Sequence, residues 1–156
     1  MTSGEYSRAS TEDRHAALRA QLAESPAPGM LAYVDGEAAG WVGFGPRERI
    51  GRLGRSRTIP KVDDLPVWSV YCFTVRVGYR RQGIARALLD GLIAYAREEG
   101  APALEAYPVD TAGRRIHGTA AYVGTLPMFE AAGFERVLET DARSDHLPRW
   151  LMRLPL

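Results

Sequence analysis

Seven consecutive residues, Arg80-Arg81-Gln82-Gly83-Ile84-Ala85-Arg86, place three guanidinium groups, a glycine and a small alanine where a strand-like run turns into an apolar helix. The first backbone N–H groups of a helix have no intrahelical partners, and the helix dipole leaves that end partly positive. Gly83 has no side chain to block close approach, and Ala85 adds only a methyl group. Successive N–H groups can therefore converge on a phosphate or pyrophosphate, with Arg80, Arg81 and Arg86 around the same spot. A surface turn with solvated arginines accounts for the same residues, so the turn alone does not decide. There is no Gly-x-x-x-x-Gly-Lys-Ser/Thr, which disfavours a Walker-type nucleotide site. There is also no Gly-x-Gly-x-x-Gly to support a dinucleotide-binding Rossmann unit.

The elements that must position this turn are readable on both sides of it. Val67 to Val77 is β-branched and aromatic almost throughout, as expected for a strand buried on both faces. Ile84 to Glu99 spaces its apolar residues as a helix, closed by Gly100. "PALEAYPV" then returns as a strand, which implies a right-handed crossover and parallel or splayed neighbours. Upstream, Ser10 to Ala23 reads as an amphipathic helix with Ala17, Leu18 and Leu22 on its apolar side. Two β-prone runs flank Asp35-Gly36 and predict a hairpin whose second strand begins a little after the turn. The connection from Pro46 to Pro66 has no sustained periodicity, and its cations outnumber its acids. It is either a solvated loop or a lure for an anionic ligand. Downstream come a polar loop from Asp110 to Tyr122, a short helix from Thr125 to Ala132 and two strands paired through a turn near Arg143 to Asp145.

Size and composition bound the rest. A chain of 156 residues is most simply one domain, spanning 1–156, and can bury about 70% of the surface it exposes unfolded. A formal net charge of +1 argues against bulk affinity for nucleic acid or membranes, so any basic site is local. The lone cysteine, Cys72, excludes an internal disulfide and a cysteine-rich metal site, and fits a reducing cytoplasm. No apolar run approaches the roughly 18 residues of a membrane span. The expectation is a soluble cytoplasmic protein with no metal.

Arg80-x-x-Gly83-x-Ala85 after a β-strand resembles the acyl-CoA pyrophosphate motif, Arg/Gln-x-x-Gly-x-Gly/Ala, of the GNAT superfamily of N-acetyltransferases. The order hairpin, strand, motif, helix, strand, helix, strands is similar to that family from about Ala17 onward. "GTLPMFEAAGFERV", Gly124 to Val137, resembles its late helix and Gly-Phe turn. The resemblance implies an α/β (α+β) fold with a central mixed, splayed sheet flanked by helices. It implies acetyl-CoA as co-substrate, with its pyrophosphate on the amides of Gln82, Gly83, Ile84, Ala85 and Arg86 beside Arg80 and Arg81. The pantetheine arm would pair like an extra strand with Phe73, Thr74 and Val75. Thr125, Met128 and Phe129 would form the other wall. The acceptor would be an amine, on a small molecule or a peptide.

The sequence departs from the family pattern in three places. Many members carry a tyrosine four residues before the Gly of Gly-Phe to protonate the departing thiolate, and here that residue is Phe129, which leaves Tyr122 or solvent. No carboxylate lies within Trp68 to Val75, so the nearest candidates for the general base are Glu105 and Asp110, with His117 beyond. The amino terminus is too short for the usual first strand and helix. Either that strand is dispensed with or its edge is covered by a second copy in a homodimer. A non-catalytic acyl-CoA-binding sensor or partner domain is the alternative reading.

Overall fold

The computed structural model describes residues 3–114 and 121–156; His117 lies outside them. Two helices come first, α1 (Ser3–Arg8) and α2 (Thr11–Leu22). Ser10 caps α2 through a capping box: its hydroxyl accepts from the Asp13 N–H at 3.1 Å, and the Asp13 carboxylate accepts from the Ser10 N–H at 3.0 Å. The apolar side expected of this helix is not used. No residue of α2 is buried, and Leu18 and Leu22 remain about half exposed, because two large apolar side chains among alanines and polar residues make too thin a stripe to pack.

Strands β1 (Gly29–Val34) and β2 (Glu37–Pro46) form the hairpin. Asp35 (φ 50°) and Gly36 (φ 81°) supply the two left-handed residues of its turn. β2 starts directly after the turn, not a few residues later, because β2 itself carries the extra residue: Ala32 faces Gly40 while Tyr33 faces Ala38, which leaves Ala39 as a bulge. The connection that follows holds a short helix, α3 (Gly51–Gly54). Then come β3 (Trp68–Val75), α4 (Ile84–Glu98), β4 (Ala103–Ala106), α5 (Leu126–Glu130), β5 (Glu135–Ser144) and β6 (Leu147–Pro155).

The six strands make one mixed sheet in the order β1, β2, β3, β4, β6, β5. Only β3 and β4 run parallel, joined by the α4 crossover. α4 buries Leu88, Leu89, Leu92, Ile93 and Ala96 in the main core with Val42, Phe44, Val70 and Leu104. Gly40 on β2 lets it come close: a Cβ there would sit 2.8 Å from Ile84 Cγ2. Among the described residues no strand precedes β1, so the first strand of the expected pattern is missing. β1 forms the sheet edge, with Leu31 and Tyr33 exposed on it. No helix among the described residues is long and apolar enough to cross a membrane.

The sheet opens at one place. β3 pairs with β2 from Trp68 to Val75, but with β4 only at Trp68, Ser69 and Val70. At that point the register against β2 shifts: Gly43 faces Cys72 while Phe44 faces Val70, leaving Tyr71 as the extra residue. A bulge bends a strand and re-aims a side chain. Beyond it Cys72 to Val75 have no partner strand on the β4 side, while β4 continues toward β6, with the Trp150 N–H reaching the Pro108 carbonyl at 3.0 Å.

Candidate active site

A groove of about 740 Å³ lies along the unpaired end of β3 and the start of α4. Gly83 (φ 79°) caps α4, and the first helical amide with an internal acceptor is that of Ala87, 2.9 Å from the Gly83 carbonyl. The N–H groups of Ile84, Ala85 and Arg86 therefore precede the helical ladder. A Cβ on Gly83 would meet nothing within 4 Å, so the space over the helix end is open. Arg81 is also left-handed (φ 60°), which leans the turn back toward the helix end. Arg80 Nε donates to the Val75 carbonyl at 3.2 Å and ties the turn to the strand.

Of the residues expected around this groove, Phe73, Thr74, Val75, Arg80, Arg81, Gly83, Ile84, Ala85, Arg86 and Met128 line it. Three are placed otherwise. The Gln82 side chain turns away to donate to the Gly78 carbonyl at 3.0 Å. Thr125 caps α5, its carbonyl accepting from the Met128 N–H at 3.1 Å. Phe129 is fully buried, edge-on to Phe73 (6.1 Å between centroids) and Phe134 (5.0 Å), so it supports the wall from beneath. Arg86 lines the groove while paired with Asp90 at 2.9 Å on the exposed side of α4. Tyr79, next to the motif in the chain, and Ala121, brought there by the fold, also line it.

On the other side of β3 lies a second cavity of about 580 Å³, bounded by the Pro46–Pro66 connection and by β5 and β6. Cys72 and Tyr71 line this cavity, whereas Phe73 lines the groove, so the strand separates the two spaces. Among the described residues Tyr122 is the one that lines both. It stands in the 3₁₀ turn of 121–123, held against the site where the Val109 N–H reaches the Gly124 carbonyl at 3.1 Å.

Glu105 and Asp110 line neither space. Glu105 is 1% exposed and already engaged: it accepts from the Tyr107 hydroxyl at 3.0 Å and pairs with Arg153, which in turn pairs with Asp63. Since the Tyr107 hydroxyl has one proton and gives it to Glu105, it accepts from Arg47 Nη1 (3.0 Å) and from the Ser69 hydroxyl (2.7 Å). Burial, and then the Glu105 charge, hold the Tyr107 phenol well above its ordinary range. Arg47 also donates to the Ile59 carbonyl at 3.1 Å, so this network pins the Pro46–Pro66 connection to the sheet. The Asp110 carboxylate closes a local turn, accepting from the Ala112 N–H at 2.9 Å.

Trp41 packs over Gly29, so tightly that no side chain would fit at that position. Of the cations in the Pro46–Pro66 connection, Arg47 is buried in the network and Lys61 pairs with Asp64 at 2.8 Å. Arg52 has no ion pair among the described residues and lines the second cavity. That cavity also holds Arg149, which sequence reasoning passed over; it is one arginine in a weak edge hairpin, with no local signal.

The family model described as Acetyltransferase (GNAT) family matches residues 2–119. The chain belongs to the GNAT acetyltransferase family. Solved GNAT structures share the fold at low identity. Ribosomal-protein-alanine N-acetyltransferase from Brucella melitensis superposes with a TM-score of 0.62 at 21% identity, covering 95% of this chain and 80% of that one. A GNAT-family acetyltransferase from Streptococcus pneumoniae gives 0.60 at 19%, covering 95% and 77%. The NatC complex, solved with Gag peptide and CoA bound, gives 0.59 at 17%, covering 90% and 79%. No curated protein matches the sequence. Membership of the GNAT family implies acetyl transfer, and the mixed sheet opened at Val70 is the fold expected for it.

Proposed function

We propose that this GNAT protein transfers the acetyl group of acetyl-CoA directly to an amine held in the second cavity. The observation that carries the reading is the placement of Tyr122, shared by a groove suited to a pyrophosphate and a cavity large enough for a small acceptor. The unbonded amides of Ile84, Ala85 and Arg86, flanked by Arg80 and Arg81, suit the diphosphate. The edge from Phe73 to Val75, free of β4, suits the amide-bearing pantetheine arm as an added strand, with Met128 opposite. A backbone N–H near Phe73 would polarise the thioester carbonyl.

The chemistry needs few groups. The neutral amine attacks the thioester carbon, the new C–N bond replaces the C–S bond, and the thiolate takes a proton from Tyr122. The proton released by the attacking nitrogen restores the tyrosine. Phe129 takes no part beyond packing, and Glu105 acts as a support for Tyr107, since its carboxylate is already satisfied twice. A cytoplasmic location fits the free thiol of Cys72 and the use of acetyl-CoA.

The test has two stages. Acetyl-CoA at 100 times its Kd should stabilise the protein by about 2.7 kcal/mol in a thermal melt. Free thiol should then appear faster when an acceptor amine is added. Stabilisation without thiol release from any amine would instead indicate a binding module, and absence of both would remove the reading.

A further inference from the structure

Arg149 is 9% exposed and lines the second cavity, yet among the described residues no carboxylate lies within 4 Å of it. Its Nε donates to the Tyr107 carbonyl at 2.9 Å, which fixes the plane of the guanidinium. Burial holds it below the ordinary arginine range; besides the Tyr107 carbonyl its neighbours are the Tyr122 phenol, which accepts a hydrogen bond from it, and Arg52, of the same sign, on the lining of the same cavity. A buried guanidinium without a counter-ion is costly, and proteins retain one where a ligand completes the pair. The remaining charges do not supply one. Arg143 is committed to the Thr140 carbonyl (2.7 Å) and to Glu139 (3.7 Å), and the one acid of the lining, Asp141, is exposed at the rim. Two arginines with no carboxylate partner among the described residues thus face the cavity that Tyr122 also lines, where acetyl transfer is proposed.

Resting on that acetyl-transfer reading, we propose that the acceptor is a small amine that also carries a carboxylate, of the free amino acid class, with Arg149 and Arg52 gripping the carboxylate while the amine points toward Tyr122. The planar fork of Arg149, locked by the Tyr107 carbonyl, suits a planar two-oxygen anion. A cavity of about 580 Å³ suits a molecule of amino acid size. Ser56 and Thr58, with hydroxyls 3.4 Å apart, add polar lining without adding charge.

The test uses the whole protein with acetyl-CoA and measures thiol release. The acceptors are the twenty free amino acids, their primary amides, the matching decarboxylated amines and aminoalkyl phosphates. The expected result is a kcat/KM for the best amino acid at least about 30-fold above its amide, since removing one partner of a buried charge pair carries a large cost. Arg52→Gln, at an exposed position, should raise KM for the acid far more than for the amide and so erase most of that preference. Arg149→Lys should recover part of what Arg149→Gln loses; a purely structural arginine would not distinguish acid from amide in either variant. Equal rates for acid and amide, a preference for the decarboxylated amine or the phosphate, or no response to any amino acid would each overturn the inference. Acetyl-CoA binding, followed by thermal melt in the same samples, separates this failure from failure of the acetyl-transfer reading.

Discussion

The groove and the cavity on either side of β3 are built in opposite ways. The groove is made mostly of two short runs, Phe73 to Val75 and Tyr79 to Arg86, closed by Ala121, Tyr122 and Met128, and its helix end offers backbone amides with open space above them. The cavity draws on segments far apart in the chain: Arg52, Tyr71, Tyr122 and Arg149 come from four different elements. Its shape depends on a buried network in which Arg47 and Tyr107 meet across 60 residues, and Arg153 and Glu105 across 48. A ligand common to a whole family can be gripped by one local motif of backbone groups. A ligand particular to one member must be recognised by side chains that tertiary structure assembles.

This contrast predicts that the two regions fail differently. The largest effect belongs to the groove. Gly83→Glu puts a carboxylate where the diphosphate is proposed to lie, and like charges in contact cost several kcal/mol, so acetyl-CoA affinity should drop by at least about 100-fold. A calorimetric titration measures it. The new Cβ meets no atom within 4 Å, so the cost to folding is that of a side chain at φ 79°, about 1–2 kcal/mol, and the fold should persist.

Next is the cavity's support. Tyr107→Phe strips a hydroxyl from Arg47, Ser69 and Glu105 at once, and should cost about 2–3 kcal/mol in denaturant unfolding, with acetyl-CoA binding largely kept. If it instead weakens the cofactor as much as it destabilises the fold, the two regions are not separable. The same phenol sets a pH effect. Because its folded value is raised above the ordinary 10.0, the stability it contributes is fully present below pH 10 and is lost as the pH climbs toward the folded value. Stability measured against alkaline pH should decline there in the parent and decline less in Tyr107→Phe.

Tyr122 belongs to both regions. Tyr122→Phe should lower kcat by about 10- to 100-fold with little change in acetyl-CoA affinity, an effect held down because a CoA thiolate leaves readily. Smallest is Arg86→Ala. Arg86 is shared with Asp90 and its side chain is 44% exposed, so affinity for acetyl-CoA should change by only about threefold, which separates the amides from the surrounding charge as the source of binding.

The same contrast explains what was legible before the fold was known. Asp35-Gly36, the Arg80–Arg86 turn and the α4 stripe each carry their cause within a few residues, and the hairpin, the open helix end and the crossover follow from them. β2 starts earlier than expected because it takes up its extra residue as a bulge at Ala39, which no neighbouring residue marks. Glu105 and Phe129 were read by position along the chain: one is consumed by Arg153, 48 residues on, and the other is turned inward by Phe73 and Phe134. Arg149 had no local signal at all. Its meaning comes from being buried near Arg52 with no carboxylate at hand.

The claim on which the rest depends is that the α4 amides hold the diphosphate of acetyl-CoA. It is tested most directly by titrating the protein with acetyl-CoA and with acetyl-pantetheine, which has the thioester and arm but no diphosphate. Acetyl-CoA should bind at least about 100-fold more tightly, and Gly83→Glu should collapse that difference by weakening acetyl-CoA alone. Equal affinity for the two compounds, or a difference that survives in Gly83→Glu, would contradict it.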